Sequence, residues 1–467
     1  MESNIKYKTQ ISKKLKSSNM KNLTKNIHKI YFGIAILFGL IFSIGMPFFN
    51  EPDGPYHFVV SSNMVGLTPD ISKYGEFTVG SGMANQADSY NNGTRFEKYY
   101  LTKIQLTSKS KLPRDFSLSP LSYDFWGHLI PAVGVWMGYH IYPSMGVMIT
   151  VGRLFSMLFY TIITFFIIKN VKRNKLLFTA VLLSPTVLNQ NSSLSYDSLG
   201  YILFAGLLSI LINALDENKI RVKGLILAII LSILSIVGTK QNIWVLLIIF
   251  PIVLFSIKNP LSKYQIKSIT KPINLIKQNK KVQIGLLLLS LAIIIKISIS
   301  LTSKFGGIIH VARRFFMTFI HQYGDNLTTA SIWRSWLTSP YAFYNRMPTW
   351  SVVAWNVLII LLLLYEVKYV RSKFVSVSAA VLFVLGIIAT YYGFLNYGTG
   401  TSSFIQGLQG RYFTATLLIL GLAVSNKSFR LKVVGSEKYI VGFSFSLIVI
   451  TNIMLIFNTL ITLILGG

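Results

Sequence analysis

Residues 198–238 read SLGYILFAGLLSILINALDENKIRVKGLILAIILSILSIVG: two uncharged apolar runs, 198–214 and 224–238, joined by a short gap holding Lys219, Arg221 and Lys223. Helical runs of about 17 to 25 apolar residues match the hydrocarbon core of a bilayer, and lysine and arginine kept on the cytoplasmic side mark which face a gap occupies. Working outward in both directions, the same alternation predicts eleven spanning helices near 30–49, 143–168, 176–192, 198–214, 224–238, 242–257, 283–303, 351–366, 374–393, 411–425 and 440–464. The tail 1–29 and the gaps 169–175, 215–223, 258–282, 367–373 and 426–439 hold 29 of the chain's 45 lysines and arginines. The parity holds at each crossing, so the N-terminus is expected in the cytoplasm.

Composition agrees with lipid as the solvent. Apolar residues make up 52% of the chain and charged residues 13%, too apolar for a soluble domain of this length. A formal charge of +30 would suggest nucleic acid in a soluble protein, but here the basic residues sit between spans, which excludes nucleic acid as a partner and leaves membrane lipids. With no cysteine, disulfides, thiolate metal sites and CxxC redox chemistry are excluded. Residues 1–29 carry eight lysines, and the apolar stretch from Ile30 to Pro47 lacks a small-residue cleavage pattern, so an uncleaved signal anchor is expected. The expected organisation is a basic cytoplasmic tail, 1–29, and one polytopic membrane domain, 30–467, with long extracytoplasmic loops at 50–142 and 304–350.

Function concentrates in long loops held by rigid helices. Within the first, Tyr123 to Tyr142 is apolar but broken by Gly, His and Pro, and is read as an interfacial or re-entrant helix; a span there would invert every later loop. Within the second, Ile308 to Gln322 has helical apolar spacing with Arg313 and Arg314 adjacent, an amphipathic element. Directly after the first span, Asn50-Glu51-Pro52-Asp53-Gly54-Pro55-Tyr56-His57-Phe58 sets two carboxylates and a histidine in a turn stiffened by two prolines. Asp53 there suits a general base or a metal ligand, with Glu51 and His57 beside it; the alternative is a helix-ending turn with solvated acids.

Charges at the outer ends of spans extend this candidate site. Lys240, in Gly238-Thr239-Lys240-Gln241-Asn242, lies between two apolar runs, where it either snorkels or pairs. Arg411 opens a span on the side where the positive-inside bias disfavours arginine, and its planar fork holds two phosphate oxygens; it is otherwise an anchor beside Tyr412. Arg313 and Arg314 are expected at the same phosphate or at lipid headgroups. Asp197 is expected to pair with Arg153 or Lys240, with Arg153, Gln409 and Tyr412 in supporting positions.

The ordered set of Pro52-Asp53-x-Pro55-x-His57-Phe58, Gly152-Arg153-Leu154-Phe155, Leu194-Ser195-Tyr196-Asp197-Ser198, Lys240 and Gln409-Gly410-Arg411-Tyr412-Phe413 resembles the DUF2142 family of bacterial membrane proteins, which is similar to the GT-C glycosyltransferases. That family more usually has Pro-Asp-Glu-Pro at the first motif; Gly54 here removes the second carboxylate. The resemblance implies an all-α, GT-C-like fold in a bacterial cytoplasmic membrane, working on the extracytoplasmic face. It implies transfer of a sugar from a polyprenyl-phosphate carrier to a glycan or lipid acceptor, centred on Asp53, with Lys240 and Arg411 on the phosphate. Mg²⁺ or Mn²⁺ held by Asp53 or Glu51 is a possible cofactor of such an enzyme. A flippase or transporter of lipid-linked glycans, or a glycan polymerase, is the alternative; transporters tend to carry polar groups at matching depth in inverted repeats, whereas the unusual polar residues here gather toward one face.

Overall fold

The computed structural model describes residues 26–49, 51–71, 96–108, 122–257, 296–319, 335–340, 347–396, 403–427 and 436–465. The tail to residue 25, the Lys-rich segment from 258, the first part of the seventh expected span and Asn50 lie outside the described residues. Among the described residues the fold is helical, with one isolated bridge between Pro69 and Leu106. In chain order the helices are α1 (Ile27–Leu40), α2 (Gly54–Met64), α3 (Tyr123–Gly127), α4 (Leu129–Ile141), α5 (Met145–Asn170), α6 (Lys175–Leu182), α7 (Pro185–Asn191) and α8 (Asp197–Glu217). There follow α9 (Val222–Gly238), α10 (Gln241–Leu246), α11 (Ile249–Ser256), α12 (Gly307–Phe319), α13 (Thr349–Tyr365), α14 (Lys373–Gly393), α15 (Arg411–Ala423, 3-10 in its middle) and α16 (Ser436–Leu465).

Among the described residues five helices are long and apolar enough to cross a membrane: Ile27–Gly45, Met145–Asn170, Asp197–Glu217, Lys373–Gly393 and Lys438–Ile461. Val222–Gly238, Gln241–Ser256, Thr349–Tyr365 and Arg411–Ala423, each expected as a span, are shorter apolar helices. The run 176–192 is not one continuous helix. Pro185 has no N–H to give and ends α6 before it. Ser184 then caps α7 by accepting from Val187 N, and the Leu183 carbonyl left free by the break takes the Asn452 amide at 3.1 Å. Thr186 closes the gap from the other side, donating its N–H to Leu337 O and its hydroxyl to Ser335 O.

The 123–142 element is α3 and α4, and α4 packs antiparallel against the first half of α5. Gly134 backs onto Gly152 and Gly138 onto Met148 so closely that a Cβ at either would lie under 3 Å from backbone. The second half of the 123–142 element, α4, is therefore folded back onto α5 as a helical hairpin. An apolar core, including Phe48, Phe49, Phe58, Tyr99, Val135 and Met148, seals it there; each buried phenylalanine contributes roughly 1.5–3 kcal/mol relative to exposure to water.

Three of the charged gaps, 169–175, 215–223 and 367–373, meet at one end of the bundle. Lys172 pairs with Glu217 at 2.5 Å and Arg173 with Asp216 at 2.8 Å, while Asn174 donates to Glu366 and to the Tyr369 hydroxyl, and Tyr369 N reaches Ser425 O. These are gaps that the charge count placed on one side. Asp197 opens α8 and Asp216 and Glu217 close it, so the two ends of the bundle stand about 30 Å apart along this helix.

Candidate functional site

The turn after α1 is held from behind. Arg153, buried inside α5, donates to Met46 O at 3.2 Å, to Pro47 O at 3.0 Å and to Glu51 Oε2 at 3.0 Å, and the other Glu51 oxygen accepts from Leu194 N. Carbonyls freed where α1 ends thus find a donor, and the buried charge finds its counter-ion. With Glu51 pointing inward, Asp53 points out. It sits at φ +60°, in the left-handed region, at the N-cap of α2, yet its carboxylate makes no cap hydrogen bond. Gly54 is needed here, because a Cβ would meet Phe49 Cβ and Cα at 2.5 and 2.6 Å. The tightness of this turn therefore accounts for glycine at position 54.

Asp197 is the hub of the cluster. It opens α8, where the helix dipole favours a carboxylate, and the hydroxyls of Ser193 and Ser195 accept from the backbone N–H groups of Ser195 and Asp197. Its Oδ2 accepts from Arg411 Nε at 2.7 Å and its Oδ1 lies 2.8 Å from Lys240 Nζ. Arg411 also donates to Gln409 Oε1 and to the Tyr412 hydroxyl, and its Nη2 reaches Asp53 Oδ2 at 3.4 Å. Lys240 lies 3.5 Å from the Tyr412 ring centroid and 4.7 Å from that of Tyr196. Asn242 ties α10 to α15 through Tyr412 O at 2.7 Å. Four residues from positions 53, 197, 240 and 411 thus form one ion cluster, and the alternative open for Asp197 resolves to Lys240 and Arg411 rather than Arg153.

Beside the cluster opens a cleft of about 270 Å³ lined by Tyr123, Tyr196, Lys240, Asn242, Phe394 and Tyr412, among others. A second, more apolar one runs between α8, α10 and α15 past Gly200, Tyr201, Ile243 and Ala415. Behind Tyr196, His57 Nδ1 and His128 Nε2 are 2.7 Å apart and His128 Nδ1 contacts Asp124 O. A backbone carbonyl only accepts, so His128 Nδ1 carries the proton, its Nε2 accepts, and His57 Nδ1 donates. Burial holds His57 well below the usual imidazole range and lowers His128 to about 4, so both rings are neutral near pH 7.

A family model described as "Predicted membrane protein (DUF2142)" matches residues 36–420. The chain belongs to the DUF2142 family. No curated protein and no solved structure matches it. In this DUF2142 protein two sequence-based expectations need correcting. Glu51 is not beside Asp53 as a second ligand, because Arg153 and Leu194 N use its two oxygens. Arg314 is not at the cluster: its guanidinium is buried and donates to Leu395 O and Phe404 O, fastening α12 to the chain ahead of α15. Arg313 is exposed on the other face of α12. A dication at the cluster would find the Asp53 carboxylate facing Arg411 and the Asp197 carboxylate bridging Arg411 and Lys240, a donor set that does not fit a resident Mg²⁺ or Mn²⁺. His128, Asp124, Tyr123 and Tyr196 stand at or behind the cleft although sequence reasoning did not single them out; the signal was the position of the first three at the start of the interrupted apolar element.

Proposed function

We propose that the protein is a GT-C-type glycosyltransferase of a bacterial cytoplasmic membrane. It moves a sugar from a polyprenyl-phosphate carrier to a glycan or lipid acceptor on the extracytoplasmic face. The observation that carries this reading is the meeting of Asp53, Lys240 and Arg411 around Asp197 at the end of the bundle opposite the lysine-rich gaps. An exposed carboxylate on Arg411, with Arg411 and Lys240 lining the apolar cleft between α8, α10 and α15, matches a phosphate at headgroup level with its chain lying between helices.

In this scheme the acceptor hydroxyl oxygen attacks the anomeric carbon, the bond from that carbon to the phosphate oxygen breaks, and the hydroxyl proton passes to Asp53. The polyprenyl phosphate leaves with the bonding pair, and Lys240 and Arg411 stabilise its charge. Asp197 holds both cations in place, and Glu51 and Arg153 fix the turn that presents Asp53.

The test is turnover of a radiolabelled polyprenyl-phosphate sugar by the purified full chain. Wild type should release labelled product and Asp53→Asn should lose roughly 10²–10⁴ of the rate, the range for a general base. Movement of the intact lipid-linked sugar between leaflets without cleavage would favour the flippase instead, and full activity in Asp53→Asn would remove the base assignment.

A further inference from the structure

We propose that the Asp53 carboxylate is a placeholder for the phosphate of an anionic lipid: it holds Arg411 in the free protein and is displaced when that phosphate arrives. The displacement stands by itself; only its consequence for catalysis rests on the transferase reading.

The two acids grip Arg411 unequally. Asp197 holds Arg411 Nε at 2.7 Å with its side chain 6% exposed, whereas Asp53 reaches Nη2 at 3.4 Å with its side chain 55% exposed. Asp197 is also paired to Lys240, so removing it would leave Lys240 without its acid and Arg411 with only the longer contact to Asp53, whereas removing Asp53 leaves both cations on Asp197. An unpaired buried charge is the expensive outcome, and Asp53 is therefore the carboxylate that yields. Charge balance points the same way. Lys240 and Arg411 are already matched by Asp53 and Asp197, so an anion entering without an exchange would leave the cluster negative. Swapping one carboxylate for one singly charged phosphate diester leaves the charge balance as it was.

The backbone at Asp53 fits a temporary contact. A non-glycine residue in the left-handed region persists where the surroundings require it, and Asp53 adopts it without the N-cap hydrogen bond that an aspartate there ordinarily makes. What that geometry secures is the reach to Arg411. A phosphate replacing the carboxylate would meet Arg411 Nη2, the Tyr412 hydroxyl 3.3 Å from it, and the Lys240 ammonium above the Tyr412 ring. Once released, the exposed Asp53 carboxylate is free to take a hydrogen bond from an acceptor hydroxyl. Donor binding would in this way prepare the base, and the reaction would be ordered, carrier first.

The experiment is calorimetric titration of the full chain in detergent with farnesyl phosphate, using farnesol and inorganic phosphate as controls, for wild type, Asp53→Asn and Asp53→Gly. Both replacements tolerate the left-handed backbone, so neither threatens the fold. Removing the competitor should tighten farnesyl phosphate roughly two- to fivefold in both variants, the scale of a partly exposed ion pair, and leave farnesol unchanged. Unchanged or weaker affinity in the variants, or no binding by any of the three proteins, overturns the proposal. An equal gain for inorganic phosphate would mark a free anion and overturn the lipid assignment. Tighter binding in the variants combined with no sugar transfer by wild type would keep the placeholder and remove the transferase reading.

Discussion

At the scale of single residues, Lys240 has the most to report. Burial first of all, and Arg411 beside it, lower its pKa to about 8 against the pull of Asp197. Its charge is therefore present below about pH 8 and lost as pH rises through that value, so affinity for farnesyl phosphate should fall between pH 7 and 9. Lys240→Arg, which stays charged throughout, should flatten that profile in the same titration. Between pH 8 and 10.5 the unfolded chain holds a proton that the folded one has released, so this group adds stability as pH rises across the window. Burial lowers His57 well below the usual imidazole range and His128 to about 4 in the folded state, so neither ring should add an inflection to a rate profile from pH 6 to 7. The residue types were legible in the sequence: an arginine at the end of a span where arginine is disfavoured, a lysine between two apolar runs. Their partners were not, because Asp197 stood equally open to Arg153 and Lys240 until packing assigned each cation its acid.

At the scale of elements, the turn from α1 to α2 and the break between α6 and α7 show where local rules gave way to neighbours. Glu51 was expected beside Asp53 from a spacing of two residues, yet the tight turn sends the two carboxylates to opposite sides, one to Arg153 and one to Arg411. Glu51→Gln should destabilise the protein by about 3–5 kcal/mol, since it leaves Arg153 buried without its counter-ion; a lowered melting temperature of the purified protein checks this. Adding Arg153→Met should restore part of the loss. Gly54→Glu, which rebuilds the family's more usual motif, should also lower the melting temperature, because its Cβ collides with the Phe49 backbone. The proline that divides 176–192 was visible in the sequence, but the amide of Asn452 and the carbonyls of Ser335 and Leu337 that make the break tolerable come from distant segments.

At the scale of the whole molecule, the basic gaps and the ion cluster occupy opposite ends of α8, and the absence of cysteine makes the sidedness easy to test. Lys219→Cys, among the basic gaps, and Glu97→Cys, in the first loop, are both exposed. An impermeant maleimide applied to intact cells should label Glu97→Cys and spare Lys219→Cys; the reverse pattern would turn the active face inward. The sequence by itself determined the helical membrane class and the grouping of the basic gaps, because hydropathy and charge act residue by residue through the solvent each run prefers. It did not determine which runs form uninterrupted helices, since Pro185 and the short α10–α11 pair depend on what packs around them. Only the tertiary structure decided that positions 53, 197, 240 and 411 share one cluster while 51 and 153 form another. An ion pair is fixed by the last few ångströms of approach between helices, and that distance is set by packing across hundreds of residues rather than by spacing along the chain.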